Sequence, residues 1–238
     1  MCAFMPWRGR PSGDEIGPGQ VHLWRARHTA IVEPPRLDCL NSAELQRASR
    51  LLIPSQRKAF GFARALLRMV LGAYLSVDSE RLRFATTAAG KPYLPGQELR
   101  FSLSHSGDGV LLALVHGSDV GVDLEATGRN IDVDALAAAS LSEAERLGID
   151  AMDNAERRRA ILRQWTRKEA LLKAEGSGLV YDPRDLTLPG GLAATMSARV
   201  HHGGRIWTLT DLSLGEAWQA SLAVEGGICA IRGYCLGW

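Results

Sequence analysis

The feature that most limits how this chain can fold is a plan used twice. Leu40-Asn41-Ser42-Ala43-Glu44 and Leu141-Ser142-Glu143-Ala144-Glu145 lie about 100 residues apart, and each opens a helix with a small polar residue ahead of a glutamate. A strand-like segment precedes each, Val21-His22-Leu23-Trp24 in one case and Val120 to Glu125 in the other. A long helix follows each, over 57–75 and about 155–174; in the first, Phe60, Ala63, Leu67, Val70, Leu71 and Tyr74 recur at helical spacing. Short strand segments come next, at 82–84, 99–103 and 110–115 in the first half and at Leu186, 206–212 and 217–224 in the second. The expectation is an α+β protein of two pseudo-duplicated halves, 20–117 and 118–238, behind a loose Gly- and Pro-rich tail at 1–19. The seam between two such units is a natural cleft.

Composition narrows the class of chemistry. With 238 residues and 46% hydrophobic content the chain can build a real core. Its 28 basic and 26 acidic residues leave a net charge of +2, too balanced for a protein that lives on a nucleic-acid backbone. Any anion site must therefore be local. The longest apolar run, Val110 to Val115, is far short of the roughly 20 residues that cross a bilayer. The first ten residues contain no apolar signal core, so no membrane partner is expected and the location reads as cytoplasmic. Cys2, Cys39, Cys229 and Cys235 show neither zinc-site nor disulfide-framework spacing.

Two segments concentrate chemistry. In Gly121-Val122-Asp123-Leu124-Glu125, strand alternation puts Asp123 and Glu125 on one face, where they either sit in solvent or hold a hard cation. In Trp165-Thr166-Arg167-Lys168-Glu169-Ala170-Leu171-Leu172-Lys173, helical spacing puts Trp165, Glu169 and Lys173 on one stripe. A Glu–Lys pair at that spacing also serves as plain helix decoration. The chain has only four lysines, and Lys91, Lys168 and Lys173 fall within the motifs, which points to a need for compact ammonium groups there. Gly90-Lys91-Pro92 and Ser104-His105-Ser106, at a Gly-rich turn, offer hydroxyls, N–H groups and an imidazole to phosphate oxygens. Arg64 and Arg68 stand four apart on the first long helix, where they snorkel over its surface or clamp a phosphate, and Arg47 is a candidate of the same kind.

Taken in order, Gly90-Lys91-Pro92, Ser102 to Ser106, Gly121 to Glu125 and Trp165 to Leu179 resemble the Sfp-type 4′-phosphopantetheinyl transferases, with matching spacing from about Val21 to at least Val224. The resemblance implies two α+β halves, each a small antiparallel sheet with helices, with coenzyme A bound at the seam. It implies that Asp123, Glu125 and Glu169 bind Mg²⁺, with Mn²⁺ as a substitute, and that Lys173 sits near the coenzyme A pyrophosphate. Arg64, Lys91, Ser104 and His105 would hold the nucleotide and its phosphates. The implied reaction is attack by a serine of an apo acyl or peptidyl carrier protein on coenzyme A, releasing 3′,5′-ADP, with Glu169 activating the hydroxyl and Lys173 neutralising charge. A monomer is expected. Two other classes use similar residues: a metal-dependent phosphodiesterase or nuclease, and a carrier-binding module without activity.

Overall fold

In the computed structural model, which describes residues 4–6, 16–30, 37–149, 152–188 and 197–236, two sheets pack face to face between two long helices. The chain runs β1 (Phe4–Pro6), β2 (Gln20–Arg27), α1 (Ser42–Ser49), α2 (Pro54–Leu75), β3 (Ala85–Thr86), β4 (Pro92–Tyr93), β5 (Leu99–Ser106), β6 (Gly109–His116) and β7 (Val120–Ala126). It continues with α3 (Val133–Ser140), α4 (Glu143–Ile149), α5 (Asn154–Glu175), β8 (Ser197–His202), β9 (Arg205–Asp211), β10 (Trp218–Glu225) and β11 (Ala230–Leu236). The first sheet has the order β1-β11-β2-β6-β5, the second β7-β10-β9-β8, and β3 and β4 form a small ribbon. No helix among the described residues is long and apolar enough to cross a membrane.

The layers follow from side-chain alternation. Trp24, Leu112, Leu114 and Phe101 point from the first sheet toward Phe62, Leu66, Leu67 and Leu71 of α2. Val21, Leu23, Leu111 and Ala113 point the other way, onto Val120, Val122, Leu124 and Leu222 of the second sheet. Both faces of β6 are therefore buried, which is why it reads as an unbroken apolar run rather than an alternating one. On the far side, Ala170, Leu171 and Ala174 of α5 cover Leu209 and Ala223. At Gly121 the helix comes so close that a Cβ would lie 1.9 Å from the carbonyl oxygen of Ala170 and 2.3 Å from the Ala174 nitrogen. Only glycine permits that approach. It sets the next positions on the same strand face, Asp123 and Glu125, directly against α5.

The duplication extends to single residues. Asn41 and Glu44 form a reciprocal capping box at α1, and Ser142 and Glu145 form another at α4. Each capping glutamate then receives a cation from the long helix of its half. Glu44 takes Arg68 Nε at 2.7 Å and Arg64 at 2.6 Å; Glu145 takes the Lys168 Nζ at 2.5 Å. Burial opposes ionisation of Glu44, but hydrogen bonds from the Asn41 N–H and both arginines more than offset it and hold its carboxyl below the usual range. Lys168 has no exposed side-chain surface, and its ammonium finds three acceptors, Glu145 and the carbonyls of Ser140 and Pro183. Arg68, equally buried, also donates to the carbonyls of Ser79 and Leu82.

The structure departs from the expected strands where turn chemistry or distant pairing decides. Residues 82–84 form no strand: Leu82 is pinned in the core after a 3₁₀ turn at Ser79–Arg81. Leu186 follows another such turn, Pro183–Asp185, capped by Asp182. Strands β1, β8 and β11 carried no signal. Residues 4–6, within the expected loose tail, pair in parallel with β11; 1–3 and 7–15 lie outside the described residues. Strand β11 leaves the second half and inserts between β1 and β2, parallel to both, so the first sheet is mixed rather than purely antiparallel.

Two stability outcomes follow. Lys168→Met keeps the apolar stem but strands a buried carboxylate, and chemical denaturation should show a loss of about 3–5 kcal/mol, largely recovered in the double variant with Glu145→Gln. Gly121→Ala should cost at least about 1–3 kcal/mol, the scale of forced overpacking, and an unchanged midpoint would exclude the close helix approach.

Candidate active site

Strand β5 and strand β7 are edge strands of different sheets, and they meet without a backbone ladder. Ser102, Ser104 and Ser106, at alternate positions on β5, accept the N–H groups of Val122, Leu124 and Ala126, alternate positions on β7, at 3.0, 3.2 and 3.1 Å. A hydroxyl whose oxygen is engaged this way has one proton left to give. Ser104 gives it to Asp123 Oδ1 at 2.8 Å, and Ser106 gives it to Glu125 Oε2 at 2.7 Å. The seam itself thus orients the two acidic side chains.

From the other side α5 supplies Lys173 and Glu169. The Lys173 ammonium donates to Asp123 Oδ1 at 2.6 Å and reaches Ser104 at 3.3 Å. Burial pushes its pKa down, but Asp123, Glu169 and Glu125 outweigh that and push it up, so it stays charged at neutral pH. Arg129, four residues beyond Glu125, donates to Glu125 Oε2 at 3.0 Å and to Ser106 at 3.2 Å. Its loop is held by Arg158 of α5, which gathers the carbonyls of Thr127, Arg129 and Ile131.

Each carboxylate keeps oxygen to spare. Asp123 Oδ2 is buried without a hydrogen-bond partner among the described residues. Among the described residues Glu125 Oε1 accepts no hydrogen bond, and Glu169 has no hydrogen-bond or ion-pair partner. Burial, Asp123 and Glu125 together raise the pKa of Glu169 against the opposing pull of Lys173. Three carboxylates face two cationic side chains, an excess of one negative charge in a half-buried space. Among the described residues no three His, Cys, Asp or Glu side chains close into a ready-made cage. The set is oxygen-only and under-neutralised, which fits a hard divalent ion that retains waters and takes further oxygens from a substrate.

Lys173 also lines a cleft of about 520 Å³ between the halves. Arg47, Phe60, Arg64 and Phe84 form its first-half wall, Gly90 and Lys91 lie along it, and His105 stands at its edge. Arg64 lies with its guanidinium 5.0 Å from the centre of the Phe84 ring, and Arg47 lies 5.6 Å from that of Phe60. His105 has an exposed ring, yet desolvation by its cleft surroundings and the nearby Lys173 and Arg129 charges lower its pKa, leaving the neutral imidazole in place at neutral pH. A smaller hollow of about 330 Å³ lies near Thr87, Tyr93, Arg100 and Asp119.

The structure brings Asp123, Glu125, Glu169, Lys173, Ser104 and His105 to one region, with Arg64 on the opposite cleft wall. Lys91 lines the same cleft, but its ammonium is spent on Asp119 at 2.8 Å and on the Ala174 carbonyl at 2.5 Å, tying the β3–β4 ribbon to the second half. Lys168 and Arg68 are structural, as the capping glutamates show. Residues 104–106 belong to a strand rather than a loop, so Ser104 and Ser106 point inward while His105 points out. Arg129 escaped sequence reasoning, and Ser106 read as a phosphate handle, whereas its hydroxyl is given to Glu125. A Ser-x-Ser-x-Ser alternation opposite Gly-x-Asp-x-Glu was the available signal.

The amino-acid sequence matches two family models in succession, the N-terminal 4′-phosphopantetheinyl transferase model over residues 24–116 and the 4′-phosphopantetheinyl transferase superfamily model over residues 119–224. The 4′-phosphopantetheinyl transferase HetI of Nostoc sp. is 30% identical over 230 residues, which is 92% of this chain and 94% of that protein. The 4′-phosphopantetheinyl transferase Sfp of Bacillus subtilis is 30% identical over 142 residues, 59% of this chain and 58% of that protein. The AcpT transferase of Salmonella typhimurium is 37% identical over 108 residues, 44% of this chain and 56% of that protein. With its two-part fold and a carboxylate–lysine site on the seam, the chain belongs to the 4′-phosphopantetheinyl transferase superfamily and is a transferase of that group.

Proposed function

We propose that the chain moves the 4′-phosphopantetheine arm of coenzyme A onto a serine hydroxyl of an apo acyl or peptidyl carrier protein, acting as a monomer with Mg²⁺, or Mn²⁺ in its place, held by Asp123, Glu125 and Glu169. The observation that carries this is the spare oxygen on each of those carboxylates beside the Lys173 ammonium. A bound divalent ion would supply charge neutralisation at the phosphate oxygens. The cleft volume of about 520 Å³ suits part of a nucleotide, and its arginines and aromatic rings suit phosphates and a base. A metal-dependent phosphodiesterase is not favoured, since family models and relatives alike are transferases.

In the proposed step the serine oxygen bonds to the β-phosphorus of coenzyme A, and the bond from that phosphorus to the oxygen bridging to the α-phosphate breaks. The products are holo carrier protein and 3′,5′-ADP. Lys173 is pre-set against the charge that grows on the departing α-phosphate oxygen, so little reorganisation accompanies the reaction. Glu169 takes the serine proton, directly or through a water. Arg64 and His105, which line the cleft, hold the nucleotide end, while Lys91 and Ser104 shape its surroundings through their own partners, the ammonium on Asp119 and the hydroxyl on Asp123.

Mass spectrometry of an apo carrier protein incubated with coenzyme A, Mg²⁺ and the enzyme should show the gain of one phosphopantetheine group. No gain across fatty-acid, polyketide and peptide carriers would sink the reading. Asp123→Ala and Glu169→Gln should each abolish transfer, and Lys173→Ala should slow it by at least about 10²-fold. Because the Glu169 pKa is raised on folding, its ionisation costs stability as pH climbs from about 4.3, the ordinary glutamate value, through the raised one. In metal-free buffer at neutral pH, Glu169→Gln should therefore melt at a higher temperature than wild type, with the difference vanishing in acid.

A further inference from the structure

We infer that Ser106 is a positioning residue of the cation site, setting Glu125 so that Oε1 faces the ion. The inference rests on the cation-dependent reading above and extends it to a residue that touches neither substrate nor reacting atoms. Ser106 is buried at 3% exposure, and its hydroxyl has no rotational freedom to spare. The oxygen accepts from the Ala126 N–H at 3.1 Å and from Arg129 at 3.2 Å, so the proton can only go to Glu125 Oε2, 2.7 Å away. Arg129 fixes the same Oε2 from the solvent side at 3.0 Å. Two donors on one oxygen lock the carboxylate plane and leave the other oxygen for ligation. Ser104 does the same to Asp123, holding Oδ1 and leaving Oδ2 bare.

The third rung of the ladder provides an internal control. Ser102 accepts the Val122 N–H at 3.0 Å, as its two neighbours accept theirs, but it donates to neither Asp123 nor Glu125. Stitching the sheets and aiming a carboxylate are thus separable along one strand. Partners that orient a metal-binding carboxylate typically change affinity by about 10–100-fold when removed.

The test is direct titration of Mn²⁺ into the full-length protein with coenzyme A present, read by the free-ion electron paramagnetic resonance signal. Unfolding midpoints are recorded alongside. Ser106→Ala should weaken Mn²⁺ binding about 10–100-fold, and Ser106→Cys, close in shape but a poor donor, should fall between it and wild type. Ser102→Ala should lower the midpoint by an amount similar to Ser106→Ala while leaving Mn²⁺ affinity as in wild type. Equal Mn²⁺ affinity in wild type, Ser106→Ala and Ser106→Cys would overturn the inference while leaving the cation site standing. A parallel loss of affinity in Ser102→Ala would overturn it too, by making the effect one of sheet stitching. Absence of Mn²⁺ binding in the wild type would remove the cation reading itself. Should Ser106→Ala not fold, Ser106→Cys against Ser102→Ala decides alone.

Discussion

The serine hydroxyls between β5 and β7 are the interaction on which the rest of the site depends. Two edge strands of separate sheets would ordinarily leave a row of N–H groups unsatisfied, an arrangement proteins must manage. Here side-chain oxygens from one strand replace the backbone carbonyls of a ladder. The substitution has a chemical by-product: a carbonyl only accepts, whereas a hydroxyl accepts and donates. Joining the halves therefore yields donors aimed at whatever acceptors β7 presents, and those are Asp123 and Glu125. Gly121 completes the arrangement by letting α5 close in, which delivers Lys173 to Asp123.

Duplication gave both halves the same skeleton, but with different residues at the strand–helix contact. In each, a capping glutamate is neutralised by a base on the long helix, Glu44 by Arg64 and Arg68, Glu145 by Lys168. A buried pair of this kind contributes little net stability against well-packed apolar residues, and its value lies in fixing how the short helix sits on the long one. Where the second half places Asp123 against Lys173, the strand and helix of the first half meet through Trp24, His22 and Tyr74, joined by hydrogen bonds to the tyrosine hydroxyl. One half carries the carboxylate chemistry, and the other lends a cleft wall.

Much of this was legible from spacing. The two-fold plan, the long helices and the common face of Asp123 and Glu125 all follow from local periodicity, which does not require knowing what lies nearby. Partner identity is a different kind of information. Lys168 read as a compact ammonium within a motif and Arg68 as either a surface arginine or a phosphate clamp, and only the buried Glu145 and Glu44 reveal both as structural. Ser104 to Ser106 read as phosphate-facing residues at a glycine-rich turn because, although both strands were visible, nothing in the spacing shows that β5 lies against β7. Strand β11 gave no signal, since its pairing with β2 spans over 200 residues of sequence and leaves no local trace.

That distant pairing bears on how the molecule comes into being. Strand β2 is flanked by β6 on one side and β11 on the other, so the first sheet cannot be completed until residues 230–236 have been synthesised. During translation one side of β2 waits with its hydrogen-bonding groups exposed while more than 100 residues of the second half emerge. The two family-model segments, 24–116 and 119–224, both end before β11, so neither contains every strand of the first sheet. Cutting the chain between them would separate β2 from its parallel partner and leave an unsatisfied edge open to other chains. Two similar halves become hard to part once the tail of one is paired into the sheet of the other.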